Sequence, residues 1–453
     1  MTAIGAAGLG YILDPFGSRR REIPKGRTVV RYWEKWTGQE GLAVRKIVDA
    51  FNASQSDVWV DYLTIAQIDM KAMLAIAGGD PPDVLGLWSY TLPAFIESGA
   101  FLPLDELARA SGIREADYIP NVWTMLTHGG RMWAGVNTAS SVALYYDKQA
   151  FREVGLDPES PPRTVAELDE AADRLTKYND DGSIERAGFI HKEPGWFPAL
   201  WPSVFGGDLF DEANNIVTAD RAENIEAMRW VQSYPEKLGQ GPVQSFVSGN
   251  GGYNSPQNAF LSGRVAMVVQ GPWLVNTINA FKPGLDYGVC AIPVESGVLD
   301  PANGLTQIEC DALVIPKGCK NPEAAWAFIA FTQRAEIQEM LAIDHAKPSP
   351  MASVSTGFNA AHPNRYVQRH AELMGSNQAV IWPRTSVWPF YADEMRKVVD
   401  KVWADPGLDP AAAMGEVQRR VEREHAIQQN RLEQQGWGEW ASGPKASTKA
   451  GDS

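Results

Sequence analysis

The sequence predicts an α/β protein of two lobes, and three observations carry that prediction. At 453 residues the chain exceeds what one small core organises. Its first 105 residues read β-α-β-α-β-α, the order that calls for a largely parallel sheet. Further apolar runs at 142–146, 265–269, 287–293 and 312–316 alternate with helical segments, so a second sheet follows the first.

Each element has a local reason. Residues 28–33 (TVVRYW) are β-branched and aromatic, a strand signature. In 40–54, Leu42, Val44, Ile47, Val48 and Phe51 recur at helical spacing. A strand over 58–65 and a helix over 68–77 follow. Residues 75–105 (AIAGGDPPDVLGLWSYTLPAFIESGAFLPLD) then combine a turn, a short strand and an amphipathic helix. Pro81 and Pro82 block helix continuation, Asp80 and Asp83 suit the turn, and the strand over 84–88 delivers Trp88, Ser89 and Tyr90 at its end. Ends of strands in open α/β sheets are where ligands sit. Residues 137–141 read as a polar connector, 147–154 as a helix ended by Gly155, and 258–262 as the end of another helix. Thr164 with Glu167 forms a capping box, and Asn321-Pro322 opens the helix over 321–332. Helices near 391–403 and 410–431 close the fold, with Trp326 and Trp403 expected in cores.

Composition narrows function. A formal net charge of −14 argues against nucleic acid or an anionic membrane as the main partner. No run reaches the roughly 18 apolar residues of a membrane-spanning helix. Residues 1–27 begin with a short apolar segment followed by Arg19, Arg20 and Arg21, expected to be the remnant of an export signal or anchor whose start lies upstream. Residues 436–453, rich in Gly, Ser, Lys and Ala, are expected to be disordered. Cys290, Cys310 and Cys319 are an odd number without CxxC spacing; free thiols are expected, and a Cys310–Cys319 bridge stays open.

Signatures of catalysis and cofactors are missing: no GxSxG, HExxH or P-loop, no GxGxxG after a strand, and six histidines without metal-ligand spacing. Neither cofactor nor metal is expected. The acid pairs Glu34 with Asp83 and Glu309 with Asp311 leave a glycosidase as the enzymatic alternative. What stands out is aromatic: 16 tryptophans, several beside Pro or Gly (Trp196, Trp201, Trp273, Trp382, Trp388). A sugar ring offers apolar C–H faces to an indole and a polar rim to Asp, Glu, Asn, Gln or Arg. Trp33, Glu34 and Trp36 follow the first strand, Trp88 and Ser89 the third, Trp273 follows VAMVVQGP, and Trp382, Arg384 and Trp388 cluster late.

Four segments in this order carry a resemblance: AGGDPPDV (77–84) with ESGAFLPLD (97–105); ALYYDKQAFREVGLD (143–157) with PPRTVAELDEAADRLT (161–176); AFLSGRVAMVVQGPW (259–273); and VIPKGCKNPEAAWAFIAF (314–331). The chain resembles the family-1 extracellular solute-binding proteins of ABC transporters, the type that includes maltose-binding and glycerol-3-phosphate-binding proteins. That resemblance implies a two-lobed periplasmic-binding-protein type II fold with a hinge and an interlobe ligand cleft. It implies one lobe of 28–139 plus 307–345 and another of 140–306 plus 346–435, with crossings near Ser140 and Ser141, 304–307 and 345–350. It further implies a monomeric, non-enzymatic receptor on the periplasmic or extracytoplasmic face of the membrane, which closes on a sugar, oligosaccharide or polyol and delivers it to the permease subunits. A sensor docking on a membrane receptor and a binder of a phosphorylated polyol such as glycerol 3-phosphate are the alternatives. The residues expected to touch ligand are Trp33, Glu34, Trp36, Trp88, Ser89, Ser140, Trp196, Trp273, Arg384 and Trp388. Arg384 and Lys35 are the candidate phosphate ligands.

Overall fold

In the computed structural model, residues 23–434 are described, so the apolar start and the 436–453 tail lie outside the described residues. The chain builds two main sheets. In the first, β1 (Thr28–Glu34) lies between β2 (Val58–Thr64) and β3 (Val84–Trp88), parallel to both. The helices Gly38–Ser54 and Ile68–Ala77 are the crossovers that parallel pairing requires. Gly38–Ser54 buries Val44, Ile47, Val48 and Phe51, whereas Leu42, expected on the same face, is more than half exposed.

The turn before β3 works as its composition implies. Gly79 takes φ +76°, and Asp83 Oδ2 accepts the Arg31 backbone N–H at 2.8 Å, tying the turn to β1. Residues 135–141 form β4 (Gly135–Ser141), a fully buried strand rather than a polar connector. Its polar side chains are tolerated because they have partners: Asn137 donates to Glu34, Thr138 to Asp311, and Ser141 meets His370.

The second sheet contains β5 (Ala143–Asp147), β6 (Ile184–Phe189), β7 (Val265–Gln270) and β8 (Tyr287–Cys290) in the order β8-β5-β7-β6, extended at its edge by Lys177–Tyr178. β7 is parallel to β6 and antiparallel to β5. The chain then returns to the first sheet as β9 (Thr306–Val314), which starts six residues earlier than the apolar run suggested and pairs antiparallel with both β3 and β4. Residues 258–262 are turns, not a helix end: the Asn258 side chain caps them by accepting from the Phe260 and Leu261 N–H groups.

The sheets meet at the switch from β4 to β5. There Val142 N–H donates to Gln307 O at 2.9 Å, and Thr306 Oγ1 donates to Val142 O at 2.6 Å. The late chain also reaches the first sheet. β10 (Ala379–Val380) pairs with β9, and Ile119 N–H bonds Pro350 O at 3.0 Å. The expected division gave 346–435 wholly to the second lobe; these contacts set 350–352 and 379–380 against the first. The capping box at Thr164 and Glu167 is present. Cys290, Cys310 and Cys319 are all free thiols. Among the described residues no helix is long and apolar enough to cross a membrane, and no cluster of His, Cys, Asp or Glu could hold a metal.

Candidate functional site between the two sheets

The alternation of β1 decides which of its residues reach the site. Trp33 packs on the core beneath the first sheet, together with residues such as Leu85, Leu87 and Val136. It is partly buried there and, among the described residues, makes no ring contact with Trp36, Trp88 or Trp273. Glu34 turns to the opposite face and is completely buried. It accepts hydrogen bonds from Tyr32 Oη at 2.5 Å, Lys35 N–H at 2.7 Å and Asn137 Nδ2 at 3.2 Å. It lies so close over β3 that a Cβ at Gly86 would come within 2.0 Å of Oε2. A carboxylate so occupied cannot also bond a ligand; it anchors Lys35.

Lys35 begins an ion chain. Its Nζ lies 3.3 Å from Glu34 Oε1 and 2.9 Å from Asp311 Oδ1, and Lys347 Nζ lies 3.1 Å from Asp311 Oδ2. The Lys35, Lys347 and Asp311 side chains are only 4 %, 4 % and 5 % exposed. Burial alone pushes the Asp311 carboxyl up, but Lys347 and Lys35 together outweigh it and hold the group well below the usual carboxylate range. Burial pulls the Lys35 ammonium down, and Asp311 and Glu34 more than reverse this. The set draws on β1, β9 and the 345–350 crossing, so it ties three separate segments of chain to one point.

Aromatic rings surround the two ammoniums. Lys35 Nζ is 5.0 Å from the Trp88 ring and 5.1 Å from Trp36; Lys347 Nζ is 5.0 Å from Trp36 and 5.9 Å from Trp273. Trp36 meets Trp88 edge-on at 6.4 Å, and Tyr90 stacks on Trp88 at 6.1 Å and 18°. Trp36, Trp88 and Trp273 thus converge on one place. Trp273, at the end of β7, folds back over Gly271 and donates its Nε1–H to Gln270 at 3.1 Å. Trp196 stands apart on the second lobe, 47 % exposed, with Tyr253 at 4.9 Å.

Beyond Tyr90 a small recess is lined by Ser89, Tyr90, Glu309, Trp382 and Arg384 among others. The buried Ser89 hydroxyl donates to Glu309. Burial pushes the Glu309 carboxyl up to about 8, the Ser89 hydrogen bond opposing and the Asp311 charge reinforcing the shift. Ser140 is buried, with one long contact of 3.5 Å to Glu309 O. Arg384 is held by Glu212 at 3.0 Å on the rim, so its charge is already matched. Trp388 does not face the site: it is 1 % exposed in the core of the second lobe, and Trp382 stacks on it at 5.2 Å. Its place at the start of the helix Trp388–Ala404 turns the ring inward.

Lys347 and Thr138 also belong to the region and were not singled out from sequence, whereas Tyr90 was expected at the end of the third strand. Lys347 alone carried a signal, as the one lysine in the 345–350 crossing.

The comparisons agree with this architecture. The family described as bacterial extracellular solute-binding protein matches residues 35–339. A maltotriose-binding protein of Pyrococcus abyssi is 25 % identical over 334 residues, covering 72 % of this chain and 67 % of its own length. The sn-glycerol-3-phosphate-binding periplasmic protein UgpB of Pectobacterium atrosepticum is 24 % identical over 283 residues, 59 % of this chain, and this chain spans 61 % of that protein. Among solved structures, CpMnBP1 with mannotriose bound superimposes with a TM-score of 0.77 at 24 % identity, over 87 % of this chain and all of the other. The sugar-binding protein MalE of Xanthomonas citri gives 0.74 at 22 % identity, over 90 % of this chain and all of the other. The structural likenesses establish the two-lobed periplasmic-binding fold, and the family match extends over two thirds of the sequence. The chain belongs to the bacterial extracellular solute-binding protein family.

Proposed function

We propose that the protein is the extracytoplasmic receptor of an ABC importer, binding a neutral sugar or oligosaccharide between its lobes as a monomer and presenting it to the membrane permease. The observation that carries this reading is the aromatic group Trp36, Trp88, Tyr90 and Trp273 around a charge set that is already internally neutral. Stacking surfaces beside hydrogen-bonding groups suit a pyranose ring. Relatives that bind maltotriose and a neighbour holding mannotriose point the same way.

The phosphorylated-polyol alternative draws support from the glycerol-3-phosphate-binding relative. Against it, Arg384 is spent on Glu212 and Lys35 on Glu34 and Asp311, which leaves neither candidate cation available to a phosphate. Turnover is not proposed. Glu309 and Asp311 have opposed acidities, as an acid and a nucleophile would. Yet both Asp311 oxygens are occupied, one by Lys35 and the other by Lys347 and Thr138. A sensor role is separated from transport by whether the closed form binds permease subunits.

The test is a thermal-shift and intrinsic-fluorescence screen over mono-, di- and trisaccharides, polyols and glycerol 3-phosphate. A ligand at about 100 times its Kd adds roughly 2.7 kcal/mol of stability. A neutral sugar is expected to give that shift; no response to any sugar would remove the reading.

A further inference from the structure

Lys347 is held from both lobes. It follows the helix Ala335–His345, whose end residue Ala346 takes φ +55°. That left-handed conformation is one an alanine keeps only where its surroundings impose it. Here it sends two neighbouring residues in opposite directions. Ala346 packs in the second-lobe cluster with Tyr145, Phe260 and Leu274. The Lys347 side chain instead runs into the first sheet, where its ammonium lies 3.1 Å from Asp311 Oδ2 and donates to Thr138 Oγ1 at 2.9 Å. The carbonyls stay with the other lobe. Ala346 O accepts from Asn364 Nδ2 at 3.2 Å and Lys347 O from His362 Nε2 at 3.1 Å. Tyr366 ties that segment to the second sheet by donating to Tyr287 O at 2.7 Å. Lys347 is therefore anchored to one lobe through its carbonyl and to the other through its ammonium.

The same ammonium faces a ring from each lobe. Trp36, packed on a first-lobe core, lies 5.0 Å from it, and Trp273, packed on the second-lobe core, 5.9 Å. The contacts with Asp311, Thr138 and Trp36 lie within one lobe and persist however the lobes are set. The Trp273 contact spans the cleft, so it exists only while the lobes are together, just inside the roughly 6 Å over which a ring attracts a cation. We infer that Lys347 is an interlobe pin: its ammonium, fixed in the first lobe by Asp311 and Thr138, attracts the Trp273 ring of the second and favours the closed arrangement. It strengthens ligand binding as a positioning residue, without touching the ligand. This inference rests on the receptor reading above and adds what sets the resting position of the lobes. A ligand that binds the closed form has an apparent affinity set by the fraction of molecules already closed. A partly desolvated cation–ring contact is strong enough to change that ratio about threefold to thirtyfold.

Wild type, Lys347→Met, Lys347→Arg and Trp273→Leu are compared by small-angle X-ray scattering without sugar, and the two Lys347 variants also by calorimetric titration with maltotriose and mannotriose. Lys347→Met keeps the length of the side chain and removes its charge. It is expected to have a larger radius of gyration than wild type, to return to the wild-type radius at saturating trisaccharide, and to bind about threefold to thirtyfold more weakly. Lys347→Arg keeps a cation beside the ring and is expected to match the wild-type radius. Trp273→Leu removes the ring, leaves the ion chain whole, and is expected to expand the sugar-free protein as Lys347→Met does. A wild-type radius in Lys347→Met or Trp273→Leu overturns the inference, and weaker binding by a Lys347→Met protein of unchanged radius makes Lys347 a ligand contact instead. An expanded Lys347→Arg protein assigns the effect to packing and overturns it too. Should Lys347→Met not fold, because Asp311 has lost a partner, Trp273→Leu decides alone. If wild type binds neither trisaccharide, the sugar reading falls by itself, and the sugar-free radii still judge the pin.

Discussion

The two walls of the cleft are built on different principles. The first-lobe wall is ionic beneath and aromatic above: Glu34, Lys35, Asp311 and Lys347 form one buried chain, and Trp36 and Trp88 lie on its ammoniums. The second lobe adds aromatic rings with neutral partners. Trp273 is locked by Gln270, and Trp196 stands exposed against the partly buried Tyr253. Fixing rings with buried ion pairs gives a surface that barely needs to reorganise on binding, whereas an exposed ring such as Trp196 can adjust. In the receptor proposed above, the first wall would set which ligand fits, and the second would cover it. Lys347 connects them, since its ammonium lies near Trp36 of one lobe and Trp273 of the other.

The sharpest way to break this comparison is at Asp311. Asp311→Asn leaves two buried ammoniums with one carboxylate between them and is expected to cost about 3–5 kcal/mol in chemical denaturation. A loss comparable to that of a surface pair would mean the ionic floor is not structural. Trp388→Ala is expected to cost a similar 3–5 kcal/mol, because it empties a core site. Trp273→Ala should instead leave the unliganded fold nearly intact and weaken sugar binding by about 1–2 kcal/mol, read by calorimetry. Equal destabilisation by the two tryptophan variants would erase the distinction between core ring and wall ring.

Acidity separates Asp311 from Glu309 on the same strand. Asp311 is held below its unfolded value, so its contribution is complete at neutral pH and is lost as pH falls below the ordinary carboxylate range. Glu309 is raised to about 8, so its contribution is complete in acid and declines as pH rises through that value. Glu309→Gln imitates the protonated form, and its melting temperature is expected to exceed wild type above pH 8 and to match it near pH 5. An unchanged profile would place Glu309 in water rather than in the recess. The smallest effect is expected at the rim: Arg384→Ala removes an exposed pair with Glu212 and should change stability by less than about 1 kcal/mol.

Much of the scaffold was legible because it is written in short-range chemistry. The Gly-Gly-Asp-Pro-Pro-Asp turn, the Thr164–Glu167 capping box and the helix over 68–77 each depend on residues a few positions apart. Trp36, Trp88 and Trp273 were legible as strand-end aromatics, and the structure brings them together. Trp33 and Glu34 fall on opposite faces of β1, and Trp388 opens a helix that buries its ring. Position near a strand end does not say which face a side chain takes, and a one-residue change of face exchanges the cleft for the core. The run 137–141 looked like a connector because its residues are polar. It is a strand because its partners, Glu34, Asp311 and His370, arrive from distant segments.

The sequence by itself determined the α/β class, the order of elements in the first lobe and the family, since propensity, turn chemistry and motif order are local properties. The tertiary structure alone decided which of those residues form the site. Lys35, Asp311 and Lys347 belong to three separate segments, and only folding brings their charges within bonding distance in a place that excludes water.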